Sequence, residues 1–553
     1  MHDPSGLSRA AQTALAACLL LTGILGAHAQ DPGAVPADPS VVVTDTGAVA
    51  GTIGAGVREF KGIPFAAPPV GERRWAPPQA LAPWSGVLDA TRYRGLCPQA
   101  ARYGIPEDST DEDCLYLNVT TPAPGGQVPA GRRPVIVWIH GGAFVGGSSG
   151  LYDLSALAKT GDAVVVSMNY RLGVFGFMPH PAFDPDTDGA YGLLDQRAAL
   201  RWVQRNIAAF GGDPDNVTIA GESAGASSVC MHLMAPEQTQ GLFHKAIIQS
   251  GGCTHRLRHV DVAAQSVGRR VAEIRGCTGD GVLACLRQQP VADLLAAGTA
   301  AAGTDLLAFA PVYGTRSQPL QGDEALATGR FVRVPMIQGG NTQEQRLYVA
   351  YELIAGQLTT RDNFAARLAQ TYGERSERVA AQYPLDNRVS AASQLGSMQS
   401  DFNPSVGLNH CIYLRTAQLA AQYVPVYEYE FADPNPPDVV ANPGIAMGAV
   451  HSSELPYQFP GFSNTMKRDA APLTQSQQAL AAQMMAYWTS FARTGTPSAV
   501  GVPQWTPFAD ADAVLRLEPY KTGWFDAGQA HRCGFWRSVY PDLLDRTYPQ
   551  PGH

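Results

Sequence analysis

Charge is scarce in this chain. Of its 553 residues only 16% are Asp, Glu, Lys or Arg, and just five are Lys. Soluble domains usually carry roughly 25%. With a net charge of −8 and no basic run, the surface has the wrong sign for a nucleic-acid backbone or a polybasic membrane patch. Metal spacing is missing too. No CxxC and no Cys/His cluster occurs, so neither a structural zinc nor any other metal or cofactor is expected. After residue 29 no apolar run reaches the ~20 residues a bilayer requires, which speaks against stable membrane insertion. Internal repeats and linker-like low-complexity blocks are absent. What is abundant is apolar: 45% hydrophobic residues exclude a disordered chain, and 57 Gly with 42 Pro imply many turns.

The N-terminus explains an odd count of nine Cys. Residues 1–29 read as a signal peptide: Arg9, an apolar core from Ala14 to Gly26, and Ala27-His28-Ala29 at a small-x-small cleavage site. Leu15 to Cys18 also fits a lipoprotein box, but cleavage there would cut the apolar core in its middle. The expected mature chain is 30–553, secreted or periplasmic. Cys18 leaves with the leader. The remaining eight Cys favour disulfides over metal ligands.

Short apolar runs alternate with helical patterns, the signature of an α/β fold. Val135–Ile139, Ala163–Met168, Val217–Ala220, Ala246–Gln249, Val334–Ile337 and Val426–Phe431 read as buried strands. Leu200, Val203, Ile207 and Phe210 repeat at helical spacing between the second and third. A single domain over 30–553 is the expectation.

Two turns carry chemistry. Gly221-Glu222-Ser223-Ala224-Gly225 is a GxSxG set between a strand and a helix expected to start near Ala226. The turn forces Ser223 into strained backbone angles, and larger side chains two positions either side would clash. It presents the hydroxyl at a helix N-terminus, where developing negative charge is favoured. The second turn, His140-Gly141-Gly142-Ala143-Phe144, follows strand 135–139. Its small residues let the N–H groups of Gly142 and Ala143, with that of Ala224, face a substrate oxyanion. Neither GxGxxG nor GxxxxGKS/T is present there, which argues against a nucleotide loop. His140, Phe144 and Glu222 are candidate pocket residues.

Longer strings narrow the reading. FKGIPFAAPPVGERRW from Phe60, EDCLYLNV from Glu112, NYRLGVFGF from Asn169, GLLDQ from Gly192, FGGDPDNVTIAGESAG from Phe210 and RCGFWRSVYPDLL from Arg532 follow one another in order. The chain thereby resembles the type-B carboxylesterase family of α/β-hydrolases, most closely its bacterial secreted members. That resemblance implies a large, mostly parallel central sheet flanked by helices, with long loop and helical insertions. It implies a serine esterase acting on a small-molecule ester through an acyl-enzyme. The family's acid maps to Glu344 within Gly339-Gly340-Asn341-Thr342-Gln343-Glu344-Gln345, where Gln343 and Gln345 replace the usual Asp and Gly. Its base maps to His451 within Gly448-Ala449-Val450-His451-Ser452-Ser453-Glu454-Leu455. The order Ser223, Glu344, His451 suits an α/β-hydrolase. The family also implies disulfides Cys97–Cys114, Cys277–Cys285 and Cys411–Cys533, leaving Cys230 and Cys253 as a feasible fourth.

Substrate is less legible. Pro98–Asp113, between the first two mature Cys, has no Trp for a choline cation to stack on, which argues against choline esters. The same loop is short and polar, unlike the apolar lid of a lipase, the nearest alternative. Arg256, Arg258 and Arg346 raise the option of a carboxylate-bearing ester, as in relatives acting on fumonisin toxins. Non-catalytic adhesion relatives have lost the nucleophile, whereas Ser223, Glu344 and His451 are all retained here.

Overall fold

The computed structural model describes residues 38–123, 131–441, 443–463, 471–509 and 513–548. The expected signal peptide, residues 1–29 with Cys18, lies outside them. Met1–Pro39 and Ser40–His553 are separate units, and the second holds everything that follows.

Its main sheet has eleven strands among the described residues. In chain order they are β1 (Thr52–Gly54), β2 (Val57–Pro64), β3 (Tyr116–Pro122), β4 (Arg133–Ile139), β5 (Val164–Met168) and β6 (Gly212–Glu222). The C-terminal half adds β7 (Lys245–Gln249), β8 (Met336–Asn341), β9 (Val426–Phe431), β10 (Ala513–Leu517) and β11 (Gly523–Asp526). Across the sheet the order is β11-β10-β9-β8-β7-β6-β4-β5-β3-β2-β1. Pairings from β10 to β5 are parallel, and the pairings at both ends are antiparallel.

The central strands are apolar on both sides because both sides are covered. Val135, Val137 and Ile139 of β4 join one core cluster, while Ile136 and Trp138 join the other. Parallel strands buried this way read as continuous apolar runs, which is why VIVWI shows no alternation. Helix α1 (Tyr191–Asn206) carries Leu200 and Val203, but Ile207 and Phe210 belong to a 3-10 turn that ends at Gly211 with φ 88°. The apolar stripe continues through both, so periodicity alone could not mark the change.

Several of the family-like strings hold one another. Arg74 (of VGERRW) makes a bidentate bridge to Glu112 (of EDCLYLNV), at 2.7 and 2.6 Å. Arg171 (of NYRLGVFGF) does the same to Asp195 (of GLLDQ), at 2.8 and 2.7 Å. Paired forks of this kind are the geometry in which a buried guanidinium is tolerated.

All eight described cysteines are bridged, as Cys97–Cys114, Cys230–Cys253, Cys277–Cys285 and Cys411–Cys533. Among the described residues, no helix is long and apolar enough to cross a membrane.

Candidate active site

The site forms where the sheet order reverses direction. β4 lies between β5 and β6, so the chain leaves β4 to one side and returns to its other side. Loops after such strands diverge and open a crevice at their C-terminal ends. The loops after β4, β6, β8 and β9 supply His140–Phe144, Ser223, Glu344 and His451 in turn.

Ser223 follows β6 directly and has φ 58° and ψ −122°, a sparsely populated conformation for a non-glycine residue. Its N–H donates to the Gln249 carbonyl of neighbouring β7 at 3.0 Å, which secures the turn. Helix α2 (Ala224–Leu233) begins immediately after it, two residues earlier than the sequence suggests. Both flanking glycines are sterically required. A Cβ on Gly221 would lie 2.5 Å from the Gly225 carbonyl carbon, and one on Gly225 would lie 2.0 Å from the Ile139 carbonyl oxygen.

The loop after β4 is equally constrained. Gly142, Ala143 and Phe144 have φ of 111°, 53° and 62°. For Phe144 this is costly, and a 2.6 Å bond from the Gly173 N–H to its carbonyl helps hold it. The loop and the N-terminus of α2 thus bring Gly142, Ala143 and Ala224 to one place. His140 does not line the cavities at Ser223. It is buried with its ring stacked on Tyr170 at 4.4 Å, and so supports the loop from behind.

Three side chains from distant parts of the chain join in a line. Ser223 Oγ lies 2.8 Å from His451 Nε2, and His451 Nδ1 lies 2.7 Å from Glu344 Oε2. Glu344 and His451 are buried, whereas Ser223 is partly exposed. The other Glu344 oxygen accepts the Asn341 N–H at 2.8 Å and the Tyr413 hydroxyl at 3.2 Å. Burial alone would raise the Glu344 carboxyl, but the His451 charge and hydrogen bonds from His451, Ser250 and the Asn341 N–H hold it below the usual range.

A second carboxylate reaches the same imidazole. Glu222 Oε1 lies 3.3 Å from His451 Nε2 and accepts the Ser452 hydroxyl at 2.7 Å. Burial lowers the His451 pKa, but Glu222 and Glu344 raise it by more, to about 9. Glu222 itself is raised by burial. Glu454 stands behind, its carboxylate held by Asn341 Nδ2 at 2.7 Å.

Two cavities of unequal size meet at Ser223. A narrow cleft on the His451 side is lined by Tyr103, Tyr152, Glu222, Tyr348 and Tyr351. A wider cavity of about 300 Å³ runs past Phe144, Leu306 and Leu307 to Glu352 and Arg367, which pair with each other. Sequence reasoning missed Tyr348, Tyr351 and this far wall, none of which sits in a motif. Tyr103 was within sight, inside the Pro98–Asp113 loop, but nothing local marked it.

The departures from the family pattern around Glu344 bond to other partners, although Gln345 also lines the wider cavity. Gln343 accepts from Ser397 at 2.9 Å, and Gln345 donates to the Leu408 carbonyl at 2.8 Å. The three arginines suggested for an anionic ester are likewise committed elsewhere. Arg256 donates to the Asp542 carbonyl, Arg258 pairs with Asp305, and Arg346 is held by Ser397, Ala446 and Met447. None lines the two cavities at Ser223, so these residues provide no carboxylate subsite there.

The carboxylesterase family model matches residues 38–536. The chain belongs to the carboxylesterase family. It is 35% identical to the mouse acylcarnitine hydrolase, with 94% of each chain covered. Identity to the human cocaine esterase is 34%, over 97% of this chain and 96% of that one. Against the para-nitrobenzyl esterase of Bacillus subtilis it is 36%, over 84% and 91%. A solved PNB esterase superposes with a TM-score of 0.74 at 32% identity, covering 90% of this chain and all of that one. This carboxylesterase therefore has the α/β-hydrolase fold and is a carboxylic ester hydrolase.

Proposed function

We propose that the carboxylesterase cleaves its ester through a Ser223–His451–Glu344 triad and an acyl-enzyme intermediate. The observation that carries this reading is the unbroken line of 2.8 and 2.7 Å contacts from Ser223 Oγ to Glu344. Ser223 Oγ attacks the ester carbonyl carbon as His451 Nε2 takes its proton. Glu344 fixes the ring tautomer through Nδ1–H and stabilises the imidazolium. The backbone N–H groups of Gly142, Ala143 and Ala224 receive the oxyanion, a contribution worth about 10²–10³ in rate per donor. His451 then gives its proton to the leaving alkoxide, which departs as the alcohol. Water, deprotonated by the same imidazole, attacks the acyl-serine and releases the acid. The unequal cavities accommodate acyl and alcohol groups of different bulk, so the substrate is a small ester with one compact and one extended side.

The same reading includes export. Four disulfides are expected in an oxidising compartment, consistent with a leader over residues 1–29 and a single hydrolase domain from residue 30.

A fluorophosphonate probe tests the nucleophile. Peptide mapping places the single covalent adduct on Ser223, and labelling is competed by p-nitrophenyl esters. An adduct on any other serine refutes the assignment.

Glu222 makes a separate, pH-dependent prediction. His451 must be neutral to accept the Ser223 proton, so activity rises as pH climbs past its pKa. A raised pKa displaces that acid limb upward, and Glu222→Gln removes one of the charges that raise it. The acid limb of kcat/KM in Glu222→Gln therefore lies at lower pH than in the parent enzyme.

A further inference from the structure

A second group of buried ionisable side chains lies behind Glu344, unused by the steps above. His531, just before helix α3 (Cys533–Val539), sits between two carboxylates. Its Nδ1 is 2.7 Å from Asp401 Oδ1 and its Nε2 is 2.6 Å from Glu430 Oε2. The His410 ring stacks on it, with centroids 3.7 Å apart and planes within 9°. His410, His531 and Glu430 are all buried. The disulfide Cys411–Cys533 ties together the two segments that carry the histidines.

The group grips the turn that carries Glu344 at two points. His410 Nε2 donates to the Asn341 carbonyl at 3.1 Å. Glu430 Oε1 accepts the Thr342 hydroxyl at 2.8 Å. The Asn341 N–H in turn donates to Glu344 Oε1. Movement of residues 341–342 would therefore shift the carboxylate that faces His451.

We propose that His531 is a positioning residue for ester hydrolysis, an imidazolium clamped between Asp401 and Glu430 that fixes the Asn341–Glu344 turn through Glu430 and His410. This rests on the assignment of Glu344 as the triad acid. The charge has a physical task. A buried carboxylate such as Glu430 stays ionised only beside a counter-charge, and Arg516 approaches its other oxygen no closer than 3.8 Å. Without the imidazolium, Glu430 becomes a protonated donor, and its grip on Thr342 changes. The groups facing His531 are Asp401, Glu430 and His410. Burial lowers the His531 pKa, but the two carboxylates raise it by more, to about 10, while burial and the His531 charge lower His410 to about 4. The cation therefore belongs to His531, and neutral His410 keeps its Nε2–H for Asn341.

The same residues invite a metal reading, since His410, Glu430 and His531 could offer ligand atoms close together. Ring geometry argues against it. In parallel stacked imidazoles the lone pairs lie in separate planes and do not converge on one ion, and His531 Nε2 is at charge-assisted hydrogen-bond distance from Glu430.

The test uses His531→Gln in the full enzyme, with folding checked by thermal melting and p-nitrophenyl acetate as substrate. The expected result is a kcat lower by about 10- to 100-fold with KM within about twofold, the pattern of a misplaced group rather than lost binding. The acid limb of kcat/KM also moves to lower pH, because a poorly aimed Glu344 supports the His451 cation less. Adding Glu430→Gln supplies a neutral side chain whose amide oxygen accepts the Thr342 hydroxyl without a counter-charge, and the double variant recovers most of kcat. Unchanged kcat and pH limb in folded His531→Gln overturn the proposal, as does stoichiometric zinc binding by the parent enzyme that His531→Gln abolishes. Should His531→Gln not fold, His410→Phe keeps a ring against His531 but removes the Nε2–H donor to Asn341, and the same kcat and pH changes are required of it. Probe labelling at Ser223 and loss of activity in Glu344→Gln are run in parallel. If those fail the triad is wrong, whereas if they hold and the histidine variants behave as wild type only this inference falls.

Discussion

Ser223→Ala lowers kcat for p-nitrophenyl acetate by about 10⁴- to 10⁶-fold, with the melting temperature unchanged. Removing Oγ abolishes the acyl-enzyme route, since no other nucleophile lies at 2.8 Å from His451 Nε2 in this arrangement. What remains is attack by water, helped by the oxyanion donors and by bound geometry. The fold tolerates the change because Ala keeps the Cβ and the hydroxyl makes no structural bond beyond His451 among those described. Relief of the charged cluster around Glu222, Glu344 and His451 is not expected, because all three remain. Steady-state rates, with a burst experiment to detect any surviving acyl-enzyme, measure it. Activity within about tenfold of the parent would remove Ser223 from the mechanism.

The second large effect is steric. Gly225→Ala puts a methyl 2.0 Å from the Ile139 carbonyl oxygen and 3.0 Å from that of His140. Backbone, not a flexible side chain, has to yield, and the backbone concerned leads straight into Gly142 and Ala143. Stability falls by about 3 kcal/mol, the upper end of ordinary overpacking. Activity falls by about 10²-fold or more, because displacing the oxyanion donors by even 1 Å misaligns them. The urea midpoint and kcat report the two effects separately. Gly534→Ala is the control: its Cβ meets nothing within 4 Å in α3, so it stays within about 1 kcal/mol of the parent, on the stabilising side. Equal behaviour of the two variants would show that close packing at Gly225 is not what the motif requires.

Local chemistry was legible where one segment does one job. VIVWI and AVVVSM read correctly as strands because burial on both faces of a parallel sheet removes polar alternation. GxSxG was legible because its spacing is written within one turn, although the backbone that excludes a side chain at Gly225 is the end of β4. Glu344 and His451 were reached through resemblance alone; nothing in their own spacing pairs residues 107 positions apart. The arginine reading went astray for the same reason. Closeness to a landmark in sequence does not say where a long side chain points, and Arg346 turned toward Ser397 and the 446–447 carbonyls.

From its sequence alone this protein's class was determined: a charge-poor α/β-hydrolase with a GxSxG turn, a Gly-rich loop after an apolar strand and an even set of cysteines beyond the expected leader. The two turns are short-range, each written within a few residues by steric and hydrogen-bonding demands. Only the tertiary structure decided how the pieces meet. It aligned Ser223, His451 and Glu344, set Glu222 against the same imidazole, and opened cavities of unequal size at Ser223. It also placed His531, the residue just before the RCGFWRSVYPDLL string, between Asp401 and Glu430. The physical reason is common to all of these. Charge pairing and cavity shape act over ångströms in space, and a chain with strands ordered 6-4-5 across its sheet brings together residues whose sequence positions hold no record of the encounter.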